Sequence, residues 1–211
     1  MKFREMAYKA AGRANAAVAG ATRNYIAGIY PREEDITAGL ITLLTNNFSG
    51  RKFADFKWSA RIMNRGPGSA NQEGKTGADM LLHVKIDTPT ISYSKGVLIQ
   101  AKRKDDGAAL ATADHTDLVN QCSKMLDISA SSFVVNYSKK GMRFASASIV
   151  RDSSDKVLSN MCVWSSHRFF LELFRCPIGD PRITSARYDA LPGVEIVGEG
   201  ALDGYDFSDV D

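Results

Sequence analysis

The sequence predicts an α/β fold, a mixed central β-sheet flanked by helices, and three observations lead there. Phe56, Trp58, Ala60 and Ile62 alternate with Lys57, Ser59, Arg61 and Met63, which is the period of a half-buried strand. Val97 to Lys102 is a short apolar run that ends in charge. Segments with helical spacing both precede these strands and separate them, an order that suits helices packed on a sheet.

The elements follow in chain order. Residues 2–29 are alanine-rich, with Lys2, Arg4, Lys9, Arg13 and Arg23 among the polar positions, and predict a helix. Tyr30-Pro31 breaks it. Pro31 suits the start of a second helix running to about Asn47. Glu33, Glu34 and Asp35 fill its first turn, where the helix dipole favours negative charge, and Ile36, Leu40, Leu43 and Leu44 give it an apolar face. After the strand at 56–63, Gly66, Pro67, Gly68 and Gly74 predict a mobile loop over 64–76. Ala78 to Ile86 reads as a strand, residues 85–95 as a bend or irregular connection, and Val97 to Lys102 as a further strand. A helix is expected over Asp114–Leu126, then strands over Ser132–Tyr137 and Met142–Val150. Ser166 is expected to cap a last helix ending at Phe174. Beyond Pro177 the pattern fades, and an extended acidic tail is expected over 177–211. Three parts result: a helical extension at 1–30 for DNA contact or dimerisation, a core at 31–176, and the tail.

A chain of 211 residues fits one domain with a full core. Hydrophobic residues make up 44% and charged residues 24%, which excludes a disordered or membrane-embedded class. The formal net charge of +3 favours no partner by itself. The acids are concentrated late: Glu195, Glu199, Asp203, Asp206, Asp209 and Asp211 fall in a stretch without Lys or Arg. The rest is basic, as a phosphate-binding body should be. Cys122, Cys162 and Cys176 show no CxxC spacing, so reduced thiols in a cytoplasmic setting are expected. His83, His115 and His167 are too dispersed for a structural zinc site. No apolar run is long enough to span a bilayer.

The chemistry is concentrated in two segments, Gly77-Ala78-Asp79 and Gln100-Ala101-Lys102. Side chains alternate along a strand, so Gln100 and Lys102 share one face. Pairing of the two strands would bring together a carboxylate, an amide oxygen and an ammonium. Phosphodiester hydrolysis calls for such a set. A hard divalent cation offsets the anionic phosphate and acidifies a water. Mg²⁺, or Mn²⁺ in its place, takes oxygen ligands of the kind Asp79 and Gln100 supply. Lys102 can orient the attacking water or stabilise developing charge.

These segments resemble the core of the PD-(D/E)XK nuclease superfamily, in particular the QxK variant of Mrr-type and related prokaryotic defence nucleases. The resemblance spans roughly Glu33 to Val150 and implies a restriction-endonuclease-like core acting on DNA. It also implies a glutamate from the preceding helix, for which Glu33 fits best and Glu34 is the alternative. A glutamine from the following helix is implied too, and Gln121 fits. The sequence departs from the common pattern in having no Pro before Asp79 and Gln100 in place of an acid. The second change removes a negative charge from the metal site, which Glu33, Glu34 or Glu73 would have to make good. Arg103 and Lys104 extend the motif into a basic turn suited to phosphate contact.

Each feature has a plainer reading. Asp79 suits a tight turn, Lys102 a solvated strand end, and Glu33 and Glu34 a helix dipole. Gln121 suits a helix surface. Cys122 is expected in the core and His83 in a semi-buried position. Taken together, the expectation is a Mg²⁺-dependent DNA endonuclease, a defence effector whose specificity comes from dimerisation, a hetero-complex or an activating partner protein. The alternatives are a structure-selective exonuclease or resolvase, and a catalytically silent nucleic-acid-binding or assembly subunit.

Overall fold

The computed structural model describes residues 3–63 and 69–200. The elements, in order, are α1 (Phe3–Ile26), α2 (Glu33–Phe48), β1 (Arg51–Phe53), β2 (Phe56–Met63), α3 (Ser69–Thr76), β3 (Met80–Asp87), β4 (Ser92–Arg103), α4 (Thr112–Ile128), β5 (Ser132–Ser138), β6 (Gly141–Ser146), α5 (Ala147–Arg151), α6 (Leu158–Met161), β7 (Trp164–Ser165), α7 (Ser166–Arg175) and β8 (Gly193–Gly200). The strands form one mixed eight-stranded sheet in the order β1-β2-β8-β3-β4-β5-β6-β7. β3 and β4 are an antiparallel pair, β4 and β5 run parallel, and β8 lies parallel to β3 and antiparallel to β2.

Strand alternation divides the core into two layers. Val97, Ile99 and Ala101 of β4 join Met80, Leu82 and Val84 of β3 beneath α1, α2 and α7. Leu98, Leu81 and Val134 face the opposite side with Leu118, Cys122 and Met125 of α4. Gln100 and Lys102 continue the Leu98 face, so the site lies on the α4 side of the sheet.

The N-terminal helix is not a peripheral addition. Ala7, Ala10, Ala11, Ala14 and Ala21 are fully buried within the first layer. Alanine lets helix axes approach closely, and this face is already taken by packing within the chain.

Several expectations are corrected. The expected loop over 64–76 is helical from Ser69; Gly66, Pro67 and Gly68 lie outside the described residues. The irregular connection expected over 85–95 is confined to the bend between β3 and β4, where Thr88 exchanges hydrogen bonds with Ile91. The strand expected to reach Val150 stops at Ser146, whose hydroxyl accepts the Ser148 N–H and opens α5. Ser165, not Ser166, caps α7 by accepting the Arg168 N–H.

The largest difference follows Pro177. Residues 193–200 are a strand inside the sheet rather than a tail, and Val194 and Ile196 are buried between β2 and β3. The glycines there permit close packing. A Cβ on Gly193 would lie 2.3 Å from the Leu81 carbonyl oxygen, and one on Gly198 would lie 2.9 Å from the Trp58 ring. Asp203, Asp206, Asp209 and Asp211 lie outside the described residues.

Candidate active site

The site forms where β4 leaves the sheet. Asp79 directly precedes β3, and its N–H donates to the Ile99 carbonyl at 2.9 Å, which fixes it beside β4. Gly77 makes this approach possible. Its φ is +72°, a conformation costly to residues with a Cβ, and a Cβ there would lie 2.4 Å from the Gln121 carbonyl oxygen. The strand start is thereby pressed onto the backbone of α4 at Gln121.

Asp79 Oδ2 accepts two hydrogen bonds, from the Gln100 amide at 2.5 Å and from the Ala101 N–H at 2.8 Å. Gln100 is 1% exposed. Its Nε2 also donates to the Ala101 carbonyl at 3.2 Å. Two acceptors therefore set the amide orientation, because a flipped amide would turn its oxygen toward both. In this orientation Gln100 Oε1 is buried without a partner. Asp79 Oδ1 takes no hydrogen bond among the described residues. Burial pushes the Asp79 carboxyl up to about 7. The Ala101 N–H and Lys102 oppose that rise, while Glu33 and Glu73 add to it.

Glu33 reaches the same place from the other layer. The helix cap does not need it: Asp35 Oδ2 accepts the Arg32 N–H at 3.2 Å and so closes the first turn of α2. Glu33 Oε2 instead accepts the Arg103 N–H at 2.6 Å, and Oε1 lies 3.5 Å from Lys102 Nζ. A bond from the Arg103 guanidinium to the Pro31 carbonyl strengthens the same junction. Thr37 and Tyr137 pin α2 to β5 through their hydroxyls at 3.0 Å. Glu34 is exposed and acts on Arg32, away from the site. Glu73 lies on α3 and reaches Asp79 only as a repulsive charge.

A cleft of about 290 Å³ opens beside this cluster. Its walls include Glu33, Lys102, Arg103, Lys104, Asp114, Asp117 and Gln121. Asp79 and Gln100 do not line it; Gln100 lies two residues behind Lys102 on the same strand face. Gln121 Oε1, like Gln100 Oε1, is buried without a partner among the described residues. Sequence reasoning missed Asp114 and Asp117. Their spacing with Gln121, at three and seven residues, puts all three on one helix face, and that spacing was available as a signal. It also missed Asn136, a buried strand residue whose Oδ1 accepts the Lys104 N–H at 3.2 Å.

Two other residues behave differently from catalytic groups. Cys122 is fully buried, which pushes its thiol up to about 12. His83 is buried in a cross-strand polar row. Its Nδ1 lies 3.1 Å from Glu195 Oε1 and its Nε2 3.0 Å from Ser94 Oγ. Glu195 also accepts from Arg61 at 2.5 Å and from Ser185 at 2.6 Å.

Two oxygen atoms in this cluster could meet a hard divalent cation. Asp79 Oδ1 and Gln100 Oε1 accept no hydrogen bond among the described residues, and burial disfavours the charged form of the Asp79 carboxyl. Mg²⁺ commonly takes one or two protein ligands and keeps waters. Among the described residues, no group of three or more His, Cys, Asp or Glu side chains is placed to hold a metal. Glu33, the acid expected to assist as a ligand, is turned toward Lys102 and the Arg103 N–H.

Among the described residues, no helix is long and apolar enough to cross a membrane. In comparisons with known proteins, the chain matches no family model, no curated protein and no solved structure.

Proposed function

We propose that this chain is a divalent-metal-dependent nuclease of the PD-(D/E)XK kind that hydrolyses phosphodiester bonds in DNA. The observation that carries the reading is the meeting of Asp79, Gln100, Lys102 and Glu33 at one strand end, with the buried Gln100 Oε1 left without a hydrogen bond among the described residues. An unpaired buried polar atom is costly, and a bound cation or water would relieve that cost.

Asp79 and Gln100 are the residues to hold Mg²⁺ or Mn²⁺. When bound there, such a cation polarises a phosphoryl oxygen and acidifies a water. The chain's own groups do the rest. Glu33 anchors the Lys102 ammonium at the cleft wall, where it meets the charge that builds on a phosphoryl group during water attack. Arg103 and Lys104 supply positive charge at the cleft rim. Gln121 offers an amide oxygen to orient a water. The defence role, the activating partner and the oligomer belong to this same proposal.

A silent nucleic-acid-binding subunit is the second reading. It is favoured by one feature: among the described residues, Asp79 is the one acid hydrogen-bonded to Gln100, while Glu33 is turned to Lys102 and the Arg103 N–H.

The test is incubation of supercoiled plasmid, linear duplex and RNA with and without Mg²⁺ or Mn²⁺, using the wild type, Asp79→Ala and Lys102→Ala. Metal-dependent cutting by the wild type alone supports the enzyme. Cutting of circular DNA separates an endonuclease from an exonuclease. No cutting of any substrate, together with no calorimetric binding of divalent metal that depends on Asp79, favours the silent subunit.

A further inference from the structure

A second hollow, of about 400 Å³, lies between α1, the β5–β6 turn and the start of α7. Three basic residues contribute to its wall: Arg23 from α1, and Lys140 and Arg143 from the turn and β6. No carboxylate lines it among the described residues. None of the three cations has an ion pair among the described residues, although Lys139, the neighbour of Lys140, is paired with Asp105 at 3.7 Å. Ser165 and Ser166 complete the wall where α7 begins.

Like charges gathered from separate elements repel, and no ion pair among the described residues offsets this. Arg23 alone could be assigned to the last turn of α1, where a cation complements the dipole. That explanation does not reach Lys140 and Arg143, which come from another part of the chain and line the same hollow.

The hollow is joined to the candidate active site. β4 and β5 run parallel, so their C-terminal ends share one end of the sheet. The Lys104 N–H donates to the Tyr137 carbonyl at 3.2 Å, and the Lys139 N–H donates to Asp105 Oδ1 at 3.3 Å. The strand end bearing Lys102, Arg103 and Lys104 is thus bonded to the hairpin bearing Lys140 and Arg143.

We infer that this hollow is a second phosphate site, which holds the sugar-phosphate backbone of a nucleic acid away from the bond that is cut. Its function is to extend the contact from the cleft across the β5–β6 turn to α1. The inference rests on the proposed nuclease reading for the identity of the ligand, but not for the existence of the site. Phosphates set along one strand would occupy Arg23, Lys140 and Arg143 together, and such contacts position a duplex without reading its sequence.

The experiment measures binding of a fluorescently labelled DNA duplex over a salt series, with EDTA present so that cutting cannot interfere. The wild type is compared with Arg23→Ala/Lys140→Ala/Arg143→Ala. A control, Arg51→Ala/Lys52→Ala/Lys57→Ala, removes three cations at the opposite edge of the sheet. Losing three phosphate contacts makes the slope of log K against log salt shallower by about 2.7. The expected result is that loss in the groove variant, with the control close to wild type. All three groove side chains are exposed, so unchanged melting is expected. Lys140→Glu, at the tip of the turn, serves as a second variant if the triple one does not fold.

A wild-type slope in the groove variants, an equal loss in the control, or no duplex binding by the wild type overturns the inference. The two readings fail separately. If the wild type cuts nothing but the groove variant still loses binding, the nuclease reading falls and the groove stands. If the wild type cuts and the groove variant binds normally, the groove falls and the nuclease reading stands.

Discussion

The Gln100 amide donates to Asp79 Oδ2 at 2.5 Å, so a neutral side chain occupies the place where a second carboxylate would double the local charge. Gln100→Glu would set two acids in contact inside a desolvated site. One of them must then protonate or be neutralised. The expected outcome is a metal-free protein less stable by about 2 kcal/mol or more at neutral pH, with tighter divalent-metal binding than the wild type. Thermal melts with and without Mg²⁺ check both. Equal melting of variant and wild type in the absence of metal would remove the electrostatic account of the pair.

Lys102 is 21% exposed and lies 3.5 Å from Glu33. A partly solvated pair at that distance contributes little to stability, about 1 kcal/mol or less. Loss of a cation that meets transition-state charge costs on the order of 10²–10³ in rate. Lys102→Ala is therefore expected to fold and to retain DNA while cutting is lost. Gel retardation and plasmid cleavage on the same preparation distinguish this from unfolding. Normal cutting by the variant would show that Lys102 has no catalytic part.

The site was legible in sequence where it depends on strand alternation, and not where it depends on long-range approach. Gln100 and Lys102 share a face with Leu98 because side chains alternate, and the apolar run at 97–101 announced that strand. Asp79 comes beside Gln100 because β3 and β4 are consecutive and antiparallel. No local pattern placed Glu33 there: α2 lies on the opposite layer, and its glutamate rounds the strand end to the Arg103 N–H. The family resemblance supplied that expectation. Residues 193–200 were misread because Gly193, Gly198 and Gly200 suggested a loop. The alternation of Val194 and Ile196 with Glu195 was present, and the glycines answer to Leu81, Trp58 and Phe56 rather than to turns.

Gly77 tests how tightly Asp79 depends on α4. Gly77→Ala adds both a left-handed φ penalty and a contact of 2.4 Å with the Gln121 carbonyl. Together these are expected to destabilise the protein by about 2–4 kcal/mol. Denaturant unfolding reads the loss. Metal binding should weaken in the same variant, because Asp79 directly follows the displaced segment. An unperturbed midpoint would mean that α4 moves away without cost.

Lys95 provides a pH test remote from the candidate site. Its Nζ donates to the Ile178 carbonyl at 2.6 Å, and burial lowers its pKa to about 8 from 10.5, with Cys176 opposing the shift. Between those two values the unfolded chain holds a proton that the folded chain has released. Stability from this group therefore rises with pH across that window, and at neutral pH the buried cation is carried at a cost on the order of 3 kcal/mol. Lys95→Met should lack the rise. Subtracting the two proteins' unfolding free energies at pH 7 and pH 10 isolates the effect, and parallel pH profiles would sink it.

Glu195 decides whether β8 is held by its polar face as well as by Val194 and Ile196. The carboxylate accepts from Arg61 and Ser185 and lies against His83, whose ring is 4% exposed. Desolvation lowers the His83 pKa against the pull of Glu195, so the ring is neutral and its Nδ1–H requires the acceptor. Glu195→Ala leaves that donor buried and unpaired, a loss of about 1–3 kcal/mol. Glu195→Gln keeps an acceptor for His83 and should recover part of it. A melt in which both variants fall equally would show that the negative charge facing Arg61, rather than the hydrogen bond to His83, holds the strand.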